Sequence, residues 1–157
     1  MPTRAQAAAG LRPQHANRMR GMTLIELMVV LAVVAILSTL AVGSYRQYVL
    51  RANRTDATSA LLRVQVAQEK YFLQNNAYTT NVNAAPPTGL GVASPTPNGF
   101  YTITVTGDPN SGNNIATSFL ATATAVAPQT QDTSCLTLTI NDQGLRNSSP
   151  STTACWR

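Results

Sequence analysis

Near its start the sequence reads Gly21-Met22-Thr23-Leu24-Ile25-Glu26-Leu27-Met28-Val29-Val30-Leu31, and a largely apolar character continues to Val42. Glu26 is the only charged residue between Met22 and Val42. A helix of that length, at about 1.5 Å per residue, crosses the roughly 30 Å hydrocarbon core of a bilayer. The run therefore predicts a membrane-spanning helix over residues 22–42.

Basic residues set the expected orientation of this helix. Arg18 and Arg20 lie just before it, and basic flanks favour the cytoplasmic side of a membrane. We therefore expect a single pass through the membrane, with the N-terminus inside and residues 44–157 outside. Residues 1–21 are rich in Ala, Arg and Gln and show no apolar period, so we interpret them as a leader that takes no part in the fold.

An ordinary secretory signal is an alternative interpretation of the same region. Ala41-Val42-Gly43 has the small-x-small pattern of a cleavage site, and cutting there would release a soluble domain that begins at Ser44. The length of the apolar run and the charge of Glu26 argue against it. A carboxylate in a membrane segment costs roughly 2.5–3.5 kcal/mol at the centre, and less where it lies close enough to the interface to reach water.

The residues Gly21 to Val30 resemble the type III signal of type IV pilins and their relatives. In that family a basic leader ends in glycine, a dedicated peptidase cuts after it, the new N-terminus is methylated, and a glutamate lies four residues further on. The resemblance implies cleavage between Gly21 and Met22, N-methylation of Met22, and pairing of Glu26 with the N-terminal amine of a neighbouring subunit. That pairing would set the register of assembly. Met22 departs from the phenylalanine that is usual there.

The charge and the histidine content exclude several classes of function. The net charge of +5 is largely due to four arginines in the leader, and residues 22–157 hold seven basic and six acidic residues. Charge therefore does not indicate a nucleic-acid binder. The single histidine, His15, lies in the leader, and no glycine-rich phosphate loop is present. A metal site, a cofactor site and the common catalytic triads are thus not expected, and we predict that the chain is not an enzyme.

The only two cysteines, Cys135 and Cys155, both follow the predicted membrane segment. An even pair in an oxidising compartment predicts a disulfide, and two unpaired thiols are the alternative. The C-terminal segment that they bound also resembles the disulfide-bounded loop of type IV pilins.

Helical spacing continues beyond the membrane segment. No proline lies between Met22 and Pro86, and Asn75-Asn76 is a plausible stop, so residues 43–74 are predicted to form an amphipathic extension of the same helix. Gly43 would supply flexibility there or let a neighbouring helix approach closely. The predicted buried face consists of Tyr45, Val49, Ala52, Ala60, Val64, Ala67 and Tyr71.

A surface loop and a sheet are predicted to follow. Residues 75–99 hold four prolines and three glycines, which favours a loop, whereas residues 100–157 contain apolar residues alternating with threonine, which is typical of half-buried strands. The alternation is clearest at residues 101–106, 119–126 and 136–140. The expected fold class is α+β: a pilin fold with one long N-terminal helix packed on a three- to four-stranded antiparallel sheet that ends in the disulfide loop.

Short motifs extend the resemblance towards the PilE-type minor pilins of Gram-negative bacteria. They are Tyr45-Arg46-Gln47-Tyr48-Val49, Gln68-Glu69-Lys70-Tyr71-Phe72 and Cys155-Trp156. The resemblance implies a structural subunit of a type IV pilus, serving twitching motility or adhesion. A major pilin, a type II secretion pseudopilin, a DNA-binding competence pilin and a membrane-anchored periplasmic domain are the alternatives.

The resemblance also implies the partners and the location of the chain. The expected partners are a prepilin peptidase that also methylates, other pilins through the N-terminal helix, the inner membrane, and the assembly machinery in that membrane. DNA is a weaker candidate. The C-terminal domain would be periplasmic before assembly and part of an extracellular pilus afterwards.

Overall fold

A computed structural model describes residues 21–151 and 154–156, so the predicted leader lies outside the described residues apart from Gly21. The chain forms one long helix followed by an antiparallel sheet of four strands, which confirms the predicted fold class. The elements are α1 (Leu24–Asn75), β1 (Tyr101–Thr106), β2 (Leu120–Ala125), β3 (Cys135–Asn141) and β4 (Arg146–Pro150).

The chain divides into two units after Thr39. In the first, every described side chain is exposed, and those from Leu24 to Leu37 are almost all large and apolar. By length and composition, α1 is long and apolar enough to cross a membrane near its N-terminal end. Exposure of a continuous apolar surface to water is unfavourable, so we expect lipid or other protein chains to surround this segment.

The second unit begins at Leu40 and contains the sheet. Its strands are hydrogen-bonded in the order β1-β2-β3-β4, each antiparallel to the next. Every second residue faces inward, so that Tyr101, Ile103, Ala121, Ala123 and Leu138 are buried. These side chains share one core with the inner face of α1, which consists of Ala57, Ala60, Leu61 and Val64.

The outward face of the sheet carries hydroxyl and amide side chains in register across the strands. Thr102 pairs with Thr124, and Thr104 with Thr122; Thr122 and Thr124 pair in turn with Thr139 and Thr137. Ser149 and Asn147 of β4 extend the two rows. Threonine suits this position because its branched Cβ favours extended backbone while its hydroxyl remains in contact with water.

The buried face of α1 differs in part from the sequence prediction. Tyr45 and Ala52 are exposed, whereas Leu50 is buried in the first turns of the second unit. Gln68 is polar but fully buried. Burial is tolerated because both polar atoms of its side-chain amide form hydrogen bonds with the backbone of Thr79. Its Nε2 donates to the Thr79 carbonyl at 2.6 Å, and its Oε1 accepts from the Thr79 N–H at 3.1 Å.

The predicted alternation along residues 136–140 also needs a correction. Leu138 and Ile140 point inward, but Leu136 is exposed and Cys135 takes the buried position instead. The cause is an irregularity in the pairing of β3 with β4 between Cys135 and Thr137, which shifts the pattern by one residue.

The segment between α1 and β1 is a loop, but it contributes to the core. Val82, Leu90 and Val92 are buried, and backbone hydrogen bonds close the segment on itself, including those from the Leu90 N–H to the Asn81 carbonyl and from the Val92 N–H to the Val82 carbonyl. No side chain other than hydrogen fits at position 89, because a Cβ there would lie 2.6 Å from the Ala84 carbonyl oxygen.

Candidate functional site

The residues of the predicted processing site lie at the beginning of α1. Gly21 and Met22 precede the helix, and both are exposed, Met22 by 68 %. Glu26 lies in the first helical turn and is also exposed. Cleavage after Gly21, methylation of Met22 and the assembly role of Glu26 stay predictions, and the backbone at the first two positions is open to an enzyme.

Thr23 is a functional residue of this site that the sequence analysis missed. Its Oγ1 accepts a hydrogen bond from the backbone N–H of Glu26 at 3.2 Å, so it caps the helix. Thr23 and Glu26 stand in the Ser/Thr-x-x-Glu spacing of a capping box, and this spacing was the signal that could have identified Thr23. A carboxylate in a first turn is also favoured by the helix dipole. Glu26 therefore has a local stabilising role besides any contact with a second chain.

A disulfide joins Cys135 of β3 to Cys155 near the C-terminus, with the two Cα atoms 5.8 Å apart. The loop that it closes contains β4. Trp156 makes two further contacts with β4. Its Nε1 donates to the Asn147 carbonyl at 2.8 Å, and the Arg146 guanidinium lies 5.2 Å from the centre of its ring. The C-terminus is thus held to the edge of the sheet by a covalent bond, a hydrogen bond and a cation–π contact.

A buried polar cluster joins α1 to the loop between β2 and β3. Arg54 binds Asp132 in a bidentate ion pair, with Nε to Oδ2 at 2.7 Å and Nη2 to Oδ1 at 2.8 Å. Gln129 is fully buried and donates to the Leu50 carbonyl at 3.0 Å, while Asn53 donates to its Oε1 at 3.0 Å. The hydrogen bond with Asp132 is the main cause of a raised pKa of Arg54. Arg54 and Asp132 lie 78 residues apart in the sequence, so no local pattern could have paired them.

Tyr101 lies beside this cluster, with its side chain fully buried. Its hydroxyl has no hydrogen-bond partner among the described residues. Burial, which disfavours the phenolate, raises the pKa of Tyr101 to about 12.

An open groove of about 530 Å³ runs between α1 and the loop that precedes β1. Its lining is mainly apolar and includes Val66, Leu90 and Val92, and the cations Arg63 and Lys70 also line it. No cluster of three or more metal-ligating side chains occurs within residues 21–151 and 154–156.

Two family comparisons match this architecture. Residues 16–42 match the family described as "Prokaryotic N-terminal methylation motif", and residues 43–139 match "Type IV minor pilin ComP, DNA uptake sequence receptor". The second match alone covers more than half of the chain. The chain belongs to the type IV pilin family. Its fold and its relatives are those of structural pilins, not of enzymes.

Curated relatives of this pilin resemble it over part of their length. The Type IV wide pilus major component PilA4 of Thermus thermophilus is 39% identical over 71 residues, which is 45% of this chain and 54% of the relative. The Type IV major pilin protein PilE1 of Neisseria gonorrhoeae is 37% identical over 76 residues, 48% of this chain and 43% of the relative. The chain thus spans about half, or less, of the relatives it matches.

Two further similarities concern a secretion protein and a solved structure. The Type II secretion system core protein G of Pectobacterium carotovorum is 35% identical over 65 residues, 41% of this pilin and 42% of the relative. A solved type IV pilin from Shewanella oneidensis aligns with a TM-score of 0.47 at 23% identity, covering 69% of this chain and 98% of that one.

Proposed function

We propose that this pilin is made as a precursor, cut after Gly21 and methylated at Met22 by a prepilin peptidase, and assembled through α1 as a structural subunit of a type IV pilus. The observation that carries the proposal is the exposed apolar half of α1, which lies within the matched N-terminal methylation motif. Before assembly this segment would hold the chain in the inner membrane, with the second unit in the periplasm. After assembly it would lie among the same segments of other pilins.

Burial of the apolar half-helix keeps this segment out of water both before and after assembly. Each large aliphatic side chain gains about 1.5–3 kcal/mol when it leaves water, and lipid offers the same gain before assembly. Lipid and protein therefore compete on nearly equal terms, and packing between helices and the pairing of charges decide between them. Transfer from membrane to filament would need the inner-membrane assembly machinery.

Within that function we propose a minor pilin, which would prime assembly or lie near the tip of the pilus. Support comes from the matched family, which is described as a minor pilin, whereas several relatives are named major pilins. Twitching motility and adhesion are the processes that such a subunit would serve. The share of this chain in sheared pili, compared with that of the other subunits, distinguishes a minor pilin from a major pilin.

A DNA-binding competence pilin is the second candidate. The matched family is described as a DNA uptake sequence receptor, and Arg146 stacked on Trp156 offers a cation beside an aromatic face. Arg51 lines a polar pocket next to the disulfide. Such pairs bind phosphate and stack on bases, so binding would weaken steeply with salt. Gel shifts of the purified full chain at low and moderate salt decide whether this candidate stands.

The first test is the intact mass and the N-terminal residue of the protein extracted from membranes and from sheared pili. We expect a chain that starts at N-methylated Met22 in both fractions. A start at Ser44 would make the protein a secreted domain, and a retained leader would leave a simple membrane anchor. Either result would overturn the proposed function.

A further inference from the structure

The second unit begins with exposed apolar residues that are followed at once by two exposed tyrosines. Leu40 and Val42 are each 68 % exposed, and Tyr45 and Tyr48 are each 70 % exposed. Tyrosine is enriched where a membrane meets water, because its ring is apolar and its hydroxyl is polar. The predicted apolar run ends at Val42, so the two tyrosines follow it by about 5 and 9 Å along α1. The headgroup layer of a bilayer, which is about 5–8 Å thick, begins at the same place.

Two arginines accompany these tyrosines. Arg46 and Arg51 are exposed, and no acidic residue lies between Glu26 and Asp56 in the sequence. The third arginine of this stretch, Arg54, is the one that an ion pair neutralises. The four exposed side chains form what we call the interfacial band: Tyr45, Arg46, Tyr48 and Arg51. The band therefore combines amphipathic rings with two positive charges.

The arginines of the interfacial band are placed to extend back towards a membrane. Cα–Cβ bonds in a helix tilt towards its N-terminus, which in α1 is the apolar end. Arg51 lies about 13 Å beyond Val42 along the axis, and its long side chain can extend back over the preceding turns to headgroup depth. Nε and Nη2 of Arg46 both donate to Gln131 Oε1, the first at 3.1 Å. Because this acceptor is a neutral amide, it orients the guanidinium and leaves its charge uncompensated.

Arg51 also borders a polar pocket of about 700 Å³ beside the disulfide. Three residues that carry hydroxyls, Thr133, Ser134 and Ser151, line the same pocket. A guanidinium binds two phosphate oxygens through parallel hydrogen bonds, and hydroxyls donate to the oxygens that remain. The pocket therefore has the size and the donors that suit a phosphate-containing headgroup.

We propose that the interfacial band and this pocket bind the headgroup phosphate of an anionic phospholipid in the membrane that the chain spans. Arg46 and Arg51 contact the phosphate, and Tyr45 and Tyr48 lie at the level of the headgroups. The inference rests on the proposed function, because it assigns a lipid contact to the membrane-held form of this pilin. Two positive charges favour a headgroup of net negative charge over a zwitterionic one.

Phosphates of DNA have the same chemistry, but the position of the band favours lipid. The exposed apolar residues that precede it hold headgroups beside the arginines at a high local concentration, whereas DNA must be captured from solution.

The melting temperature of the full chain in a nonionic detergent tests the contact, with the fluorescence of its single tryptophan, Trp156, as the readout. Short-chain phosphatidylglycerol is added in increasing amounts, and short-chain phosphatidylcholine is the zwitterionic comparison. A ligand that binds only the folded state raises the melting temperature. We therefore expect a rise with phosphatidylglycerol and a much smaller rise with phosphatidylcholine.

Arg51→Gln is the main variant, because Arg51 enters no salt bridge among the described residues and its loss should leave the melting temperature without lipid unchanged. The variant should need about ten times more phosphatidylglycerol for the same rise, since it loses a charge-assisted hydrogen bond. Arg51→Lys keeps the charge but not the paired hydrogen bonds, so its response should be intermediate. Arg63→Gln is the matched control: it removes another exposed cation about 18 Å further along α1 and should respond like wild type.

An equal response of wild type to the two lipids, or a wild-type response of Arg51→Gln, would overturn the proposal. A larger rise with a short DNA duplex at the same phosphate concentration would assign the pocket to DNA and would also overturn it. If the chain extracted from cells begins at Ser44, it lacks the membrane segment and the proposed function itself fails. If the chain begins at Met22 but shows no lipid preference, only the lipid contact is wrong.

Discussion

At the scale of single residues, a small number of buried polar side chains helps to hold the second unit together. Gln68, Gln129 and Asp132 are buried, and each is satisfied by a partner distant in the sequence or by backbone. Tyr101 differs from these three, since its buried hydroxyl has no hydrogen-bond partner in the described residues. A buried hydroxyl without a partner costs about 1–3 kcal/mol, and it also opposes loss of its proton.

The stability of the protein is predicted to fall at alkaline pH through Tyr101. The pKa is about 12 in the folded chain and about 10 in an unfolded one, so stability from this group is complete below pH 10 and is lost as the pH rises towards 12. The full loss would be roughly 3 kcal/mol. Urea unfolding of the full chain in detergent, at pH 8 and pH 11, should show about half of this loss, roughly 1.4 kcal/mol, in wild type, and Tyr101→Phe should lack that contribution.

Tyr48→Phe is the control for this measurement, because Tyr48 is 70 % exposed. It should lose as much stability as wild type between the two pH values. At pH 8, Tyr101→Phe should be as stable as wild type or more stable, since it removes a hydroxyl that makes no hydrogen bond. An equal alkaline loss in Tyr101→Phe and wild type would contradict the assignment.

At the scale of elements, the sequence predicted those whose pattern is apolar and missed the one whose pattern is not. α1 followed from helical spacing and the lack of proline, and β1 to β3 followed from alternation with threonine. β4, which reads Arg-Asn-Ser-Ser-Pro, has no apolar period. It is a strand because β3 pairs with it and because the disulfide and Trp156 hold its far side. Such long-range restraints are invisible to a local pattern.

Loss of the disulfide is therefore predicted to loosen the β4 edge of the sheet first. Because the bond restricts the unfolded chain, closing a loop of this length contributes about 3 kcal/mol to stability. The double variant Cys135→Ser and Cys155→Ser should lower the free energy of unfolding by about that amount. In this double variant, hydrogen exchange should accelerate more at the β4 amides than at the amides of β1, which lies at the other edge of the sheet. Uniform acceleration of both strands, or none, would show that the bond does not pin β4.

The candidate functional features differ in the same way: one is a contiguous motif, and the other is formed by separate segments of the chain. The motif around Gly21, Met22 and Glu26 is contiguous, so the sequence alone located it. The groove between α1 and the loop that precedes β1 could not be located, because one of its walls is a loop whose path depends on Val82, Leu90 and Val92 entering the core. Loops that contribute to a core in this way carry no period from which the burial could be predicted.

At the scale of the whole molecule, the two units place different demands on their surroundings. The second unit from Leu40 onward has its own core, whereas the first exposes all of its described side chains. Stability of the second unit and assembly through the first should therefore respond to different substitutions.

Glu26→Ala is predicted to abolish incorporation into pili and to leave membrane insertion intact. Removing one partner of a buried ion pair leaves the other charge uncompensated, at a cost of roughly 3–5 kcal/mol. Because Glu26 also lies in a capping box, Glu26→Gln separates the two roles: glutamine keeps the capping pattern and removes the charge. The measurement is the amount of each variant in sheared pili relative to membranes.

Both variants should be missing from pili if pairing with a neighbouring amine is required. Normal incorporation of Glu26→Gln, with loss of Glu26→Ala only, would assign Glu26 to the helix cap and refute the pairing. Thr23→Val is a useful companion, because it removes the capping oxygen and leaves the carboxylate. It should lower helix stability by about 1 kcal/mol and still assemble.

The outward rows of the sheet have a consequence for the colloidal behaviour of the protein. Thr102, Thr124, Thr137 and Ser149 form one row, and Thr104, Thr122, Thr139 and Asn147 form the other, so the two rows are polar but electrically neutral. Forces between neutral, hydrated surfaces are short in range and are not screened by ions, unlike those between charged ones. This face should therefore behave alike in fresh water and in brine, and any sensitivity of bundling to salinity must originate elsewhere on the molecule.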